Sequence, residues 1–191
     1  MKSLWLDFET TGLNPVNYRI VECAIVLCED GLDDRIFHTY VKYDTYPEDY
    51  LADDSRAKQL TGLTPEYLDL KGVPERRFFE GLRWFFDQFI NKFDPLDKLV
   101  LCGYNVDFDD SFARELFIRY GEKYYGAFIA NCRLNVMSSI ANATRLGKLP
   151  LLRSYRLQAV AKYFNIDFQK AHSAVDDIRV TRELQRRIDC L

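Results

Sequence analysis

The sequence predicts an α/β fold in which one mixed sheet of five strands, the first three antiparallel, is flanked by helices. Two observations lead there: β-type runs open the chain as a meander, and later ones alternate with stretches of helical period. Ser3 to Phe8 is short, apolar and aromatic, and Arg19 to Cys28 and Arg35 to Tyr43 also read as strands. Glu29-Asp30-Gly31 is a turn signal, so the last two runs should pair as an antiparallel hairpin. Pro74 can open a helix at its first position, and Phe78, Leu82, Phe85, Phe86, Phe89 and Phe93 then form an apolar stripe expected in the core. Leu99 to Tyr104 reads as the fourth strand, Val106 to Tyr120 as an amphipathic helix stopped by Gly121, and Ala127 to Ala130 as the fifth strand. Two or three helices should finish the chain.

The 191 residues, 48% hydrophobic and 29% charged, suit one folded domain spanning 1–191 rather than a disordered or repetitive chain. Acidic residues enter almost at once after Met1, so no secretion signal is expected, and no run is long and apolar enough to span a bilayer. Cys23, Cys28, Cys102, Cys132 and Cys190 are odd in number and scattered, which fits reduced thiols and a cytoplasmic location better than disulfides or zinc. The net charge of −3 argues against broad coating of a nucleic-acid backbone. Its distribution is uneven: over residues 1–60 six Lys or Arg face twelve Asp or Glu, and over residues 145–191 ten face five. The basic tail reads as solvated helix faces, with a surface that guides a polyanion as the alternative.

Alternate residues of a strand share a face, so Asp7 and Glu9 project side by side near the end of the first strand. Two such carboxylates are either exposed at a turn or neutralised by a cation. On the helix after Asn105, Asp109 is in phase with Phe112, Ala113, Leu116, Phe117 and Tyr120, which puts an acid at the head of the buried stripe. Asp110 is expected to be an exposed partner of Arg114 and Asp107 a first-turn acid favoured by the helix dipole. Near the C-terminus, Ser173 and Asp176 resemble a capping box, and Asp176 falls in phase with Val180, Glu183 and Arg187 on the outward side. Asp177 is in phase with Thr181, Leu184 and Ile188, the inward face, and His172 stands just before the cap. Four carboxylates without cysteine partners suit Mg²⁺ or Mn²⁺, and their charge asks for two ions. Paired ions of that kind can hold the attacking and leaving oxygens of a phosphoryl displacement, which points to phosphodiester hydrolysis.

Three motifs, DFETTGL from Asp7, GYNVDFD ending at Asp109 and HSAVDD from His172 to Asp177, resemble those of the DEDDh 3′-to-5′ exonucleases of the DnaQ-like group, which includes the DNA polymerase III epsilon type and has the RNase H-like fold. Together they span nearly the whole chain, and the helical stretch SYRLQAVAKYFNI before the third motif is also similar. The resemblance implies release of nucleoside monophosphates from the 3′ end of single-stranded nucleic acid, DNA before RNA, and a polymerase or replication partner. It implies that Asp7 bridges two metal ions, that Glu9 and Asp177 complete the site of the nucleophilic water, that Asp109 supports the second ion, and that His172 is the general base. Phe8, Thr10 and Leu13 would line the pocket for the terminal nucleotide, with Asn105 near the entering strand. The chain departs from the pattern in AKQLTGLT, where Thr61 stands in place of a frequent histidine, and in IANCRL, where Asn131 and Cys132 replace a frequent Asp-Thr. LCGYN and HSAVDDIR are also similar to oligoribonuclease, which leaves an exoribonuclease acting on short RNA as an alternative. A non-catalytic module binding nucleic acid or a polymerase would keep the fold without turnover, but all five catalytic positions are filled. A haloacid-dehalogenase-type phosphotransferase would need Asp at Glu9 and would leave Asp109 and His172 without a role.

Overall fold

The computed structural model describes residues 2–29, 34–168 and 173–191. Strand β1 (Lys2–Thr10) pairs antiparallel with β2 (Ile20–Glu29), which pairs antiparallel with β3 (Arg35–Lys42), as the opening meander predicts. Residues 30 and 31 of the expected turn lie outside the described residues. After β3 come three short helices, α1 (Glu48–Leu51), α2 (Arg56–Thr61) and α3 (Pro65–Lys71), then a two-residue strand β4 (Val73–Pro74) and the long helix α4 (Glu75–Phe89). Strand β5 (Leu99–Gly103), helix α5 (Val106–Arg119), a 3₁₀ turn (Tyr125–Ala127) and strand β6 (Ile129–Asn135) follow. Helices α6 (Val136–Arg145), α7 (Leu157–Tyr163) and α8 (Ala174–Asp189) complete the chain.

The sheet order is β4-β3-β2-β1-β5-β6, with β5 parallel to both β1 and β6. Alternation along β1 divides the core. Leu4, Leu6 and Phe8 pack with Phe78, Leu82 and Phe85 of α4 and with Phe112, Leu116 and Phe117 of α5. Trp5 faces the other way, toward Val136 and Ile140 of α6, Val160 of α7 and Ile178 and Leu184 of α8. Asp7 and Glu9 share the Trp5 side, so the acids emerge on the face covered by α6 to α8. A third cluster of Val21, Tyr50, Leu63 and Leu68 seats the three short helices, and the Tyr50 hydroxyl donates to the Leu63 carbonyl at 2.6 Å. Among the described residues no helix is long and apolar enough to cross a membrane.

Four expectations are corrected. Among the described residues the sheet has six strands, because Pro74 is not the first helical residue: its ψ of 144° keeps it extended and lets Val73 pair parallel with Val41. Proline tolerates that place because an edge strand does not need its missing N–H. The last strand begins at Ile129 rather than Ala127 and runs on to Asn135, and its extension past Ala130 was hidden because its edge position leaves Asn131 and Cys132 exposed. The stripe of α4 stops at Phe89. The chain turns extended at Ile90, which leaves Phe93 outside the helix and 86% exposed. The α8 surface is buried more widely than its phase suggests, for Asp176 and Val180 are buried along with Thr181 and Leu184, the helix being packed between the sheet and its neighbours α6 and α7.

These positions predict opposite outcomes for two phenylalanines. Phe117 is fully buried, its ring 4.9 Å from that of Tyr125 and 5.2 Å from that of Phe79. Phe117→Ala is expected to cost about 3–5 kcal/mol in urea unfolding, and Phe93→Ala to stay within about 0.5 kcal/mol.

Candidate active site

The end of β1 and the first turn of α8 bring Asp7, Glu9 and Asp177 together: one carboxylate oxygen of each lies within 4.8 Å of the other two. Asp109 reaches the same place from the first turn of α5. It is 3% exposed, and its Oδ1 accepts the Phe8 N–H at 2.9 Å, between the two β1 acids. Asp109 is not part of the tight trio, yet its charge is the strongest of those acting on Asp7. Burial above all, and then repulsion from Asp109, Glu9, Asp177 and Glu22, push Asp7 well above the usual carboxylate range. Glu9 is pushed up to about 8 by burial and then by Asp177, Glu22 and Asp109. Burial raises Asp109 to about 8 as well, against the opposing bond from Phe8 N–H.

The neighbouring acids are occupied otherwise. Asp110 accepts Arg114 Nε at 2.7 Å, the Tyr125 hydroxyl at 2.8 Å and the Arg133 guanidinium. It pairs with Arg114 as the spacing predicts, but it is 4% exposed rather than solvated, because β6 and the 3₁₀ turn close over it with Arg133 and Tyr125. Asp107 is exposed in the first turn of α5 and accepts Asn135 Nδ2 at 3.0 Å. Asp176 does not form the expected capping box: Ser173 is the N-cap of α8 without a side-chain cap bond, and Asp176 accepts Arg179 Nε at 2.7 Å. His172 lies outside the described residues.

Phe8, Thr10 and Leu13 do line one cavity, of about 680 Å³, together with Glu9, Thr61 and Phe108. The Thr10 hydroxyl donates to the Gly12 carbonyl at 2.7 Å, shaping the loop that carries Leu13, itself 83% exposed. Thr61 faces this cavity, its hydroxyl donating to the Ala57 carbonyl at 2.9 Å and accepting the Leu63 N–H. Asn105, in the left-handed conformation at φ 59°, lines a different cavity that contains Asp177. Asn131 and Cys132 are exposed on β6, away from the trio's strand.

Sequence reading missed Glu22. It sits opposite Glu9 in the β1/β2 register, is 2% exposed, and its Oε1 lies 2.9 Å from His38 Nε2 on β3. A lone acid inside the apolar run IVECAIVL was the available signal, since a charge in a strand buried on both faces needs a partner.

Carboxylates whose folded pKa is raised favour the folded state below the unfolded value near 4.5 and lose that contribution as pH rises toward about 8. The metal-free protein should therefore melt at a lower temperature at pH 8.5 than at pH 5.5. Divalent cation should raise the melting temperature more at pH 8.5. Thermal unfolding with chelator or Mn²⁺ at the two pH values checks both; a chelated protein most stable at pH 8.5 would exclude the carboxylate effect.

The model of the exonuclease family (RNase T) matches residues 4–184. A PolC-type DNA polymerase III from Thermotoga petrophila is 30% identical over 179 residues, which cover 94% of this chain and 11% of that protein. Exodeoxyribonuclease I of Buchnera aphidicola subsp. Acyrthosiphon pisum is 24% identical over 198 residues, covering 97% of this chain and 45% of the relative. The chain thus spans about a tenth of the first and under half of the second. The crystal structure of E. coli exonuclease I in complex with a dT13 oligonucleotide superposes with a TM-score of 0.77 at 23% identity, over 98% of this chain and 41% of that one, so the fold is shared.

Proposed function

The chain belongs to the RNase T exonuclease family, a DEDDh-type and DnaQ-like group, and from that premise we propose that residues 1–191 act as one domain that releases nucleoside monophosphates from the 3′ end of single-stranded nucleic acid, DNA before RNA. The observation that carries the reading is the trio Asp7, Glu9 and Asp177, gathered within 4.8 Å beside a cavity of nucleotide size. The names of the relatives, a DNA polymerase and an exodeoxyribonuclease, support DNA, and the polymerase supports a replication partner.

The donor set fits hard divalent cations: the trio is all oxygen, and burial with mutual repulsion leaves Asp7 and Glu9 in need of positive charge. Asp7, Glu9 and Asp177 would hold two Mg²⁺ or Mn²⁺ ions with Asp109 as the fourth ligand. When bound, such ions offset phosphate charge and lower the pKa of water. The chain supplies the rest. His172, placed just before α8 by the sequence, is assigned as the base that takes the proton of the attacking water. Phe8, Thr10 and Leu13 bound the seat of the terminal nucleoside, where the exposed Leu13 side chain offers an apolar surface to a base or sugar. Asn105 lies beside the incoming strand.

A time course on end-labelled DNA, RNA and dinucleotides with Mg²⁺, Mn²⁺ or chelator tests the reading. Mononucleotides should leave the 3′ end only with metal present, and DNA should be degraded faster than RNA. Asp7→Ala and His172→Ala, each shown to be folded by circular dichroism, should lose activity by roughly a hundredfold or more. Normal turnover by either variant would end its assignment.

A further inference from the structure

A second cavity, of about 630 Å³, reaches the carboxylates from Asp177, whereas the first reaches them from Glu9. Because oxygens of Glu9 and Asp177 lie within 4.8 Å, the two cavities meet at the trio, and Arg56 and Leu60 of α2 line both. A phosphodiester at the trio has a nucleoside on each side. If the first cavity takes the one to be released, the second is the adjoining space for the strand that remains.

The walls of the second cavity suit that occupant. Tyr104 and Tyr155 present aromatic rings, and both are anchored: the Tyr104 hydroxyl donates to the Tyr155 carbonyl, and the Tyr155 hydroxyl meets Thr144 Oγ1 at 3.4 Å. Anchored rings can stack on a base whatever its sequence. Arg56 and Arg156 supply the charge. Most arginines of the chain are held by carboxylates, among them Arg83, Arg114, Arg119, Arg133, Arg182 and Arg187. Arg56 and Arg156 are exposed and have no ion pair among the described residues, yet both border a cavity that ends on an acidic cluster. Exposed guanidinium groups there are suited to charge-assisted bonds with phosphate.

We propose that this cavity is a binding subsite for the nucleotide preceding the scissile phosphate, with Arg56 and Arg156 gripping the strand's phosphates, so that the chain prefers substrates of three or more nucleotides. The inference rests on the exonuclease reading above. A dinucleotide without a 5′-phosphate offers only the scissile phosphate. A trinucleotide adds a second phosphate for the arginines.

The test compares kcat/KM on the p-nitrophenyl ester of thymidine 5′-monophosphate, which has no upstream nucleotide, with values on di-, tri- and tetranucleotides lacking a 5′-phosphate. The protein is the 191-residue chain and its Arg156→Gln, Arg56→Gln and Arg156→Lys variants, each checked for an unchanged melting temperature. The unsubstituted chain should gain about tenfold from dinucleotide to trinucleotide. Arg156→Gln should lose most of that gain through KM and flatten the log–log salt dependence by about one unit, and Arg156→Lys should keep the slope. Arg56→Gln should lose more on the tetranucleotide than on the ester. An equal loss on ester and tetranucleotide, or no loss on either, would overturn the subsite while leaving the exonuclease reading intact. No hydrolysis of any substrate by the unsubstituted chain with metal would overturn both.

Discussion

The constraint on which the rest of the structure depends is the mutual repulsion of acids at the end of β1. Asp7 and Glu9 leave the same face of one strand, Asp177 arrives from α8, Asp109 from α5, and Glu22 stands opposite Glu9. Nothing in such a cluster attracts its members to each other, so the surrounding packing must hold them. The holding elements are extensive: β1 is hydrogen-bonded on both sides, and its two faces lie under α4 and α5 on one side and α6 to α8 on the other. Part of the free energy of that packing is stored in Asp7, Glu9 and Asp109, which resist ionisation, a device commonly found at functional sites.

The arginines show how the chain keeps its other acids out of this cluster. Asp110 and Asp176 adjoin Asp109 and Asp177 in sequence and are buried as well, but each is bound by an arginine, Arg114 and Arg133 for the first and Arg179 for the second. Glu75 is bound by Arg119, and Glu122 by Arg83. A buried carboxylate held by a guanidinium is a structural joint, and its removal leaves the partner charge exposed to the same burial cost. Asp7, Glu9 and Asp109 differ in that no arginine or lysine is paired with them among the described residues.

Helical phase and strand alternation were enough to read much of this from the sequence. Asp7 and Glu9 follow from period two, and Asp109 from its place above Phe112, Leu116 and Phe117, all buried on α5. What phase could not supply is the breadth of burial. A helix covered on several sides buries more than one stripe, so Asp176 and Val180 go inside with Thr181 and Leu184, and Asp110 is covered by residues more than ten positions away. The partners of Glu22 were illegible for a similar reason: they are residues of β1 and β3, and cross-strand register is a tertiary fact. The two-residue β4 and the polar edge strand β6 are set by backbone pairing with partners, which leaves little trace in side-chain pattern.

One local mismatch of strand lengths explains why Asp109, of the three aspartates on its helix, joins the site. The pairing of β1 with β5 ends at Trp5 and Cys102, while β1 continues to Thr10. Strand β5 stops at Gly103, where a side chain would stand 2.9 Å from the Leu6 carbonyl, so only glycine lets the chain pass this close before turning. Asn105 makes that turn in the left-handed conformation, and α5 starts at once. The Phe8 N–H is thereby left without a β5 partner, and a buried N–H in that state is costly. The helix delivers Asp109 to it at 2.9 Å, whereas Asp107 and Asp110 are turned toward Asn135 and Arg114. The bond that satisfies the strand thus draws a carboxylate between Asp7 and Glu9, and the repulsive cluster follows from ordinary backbone accounting at the end of a strand.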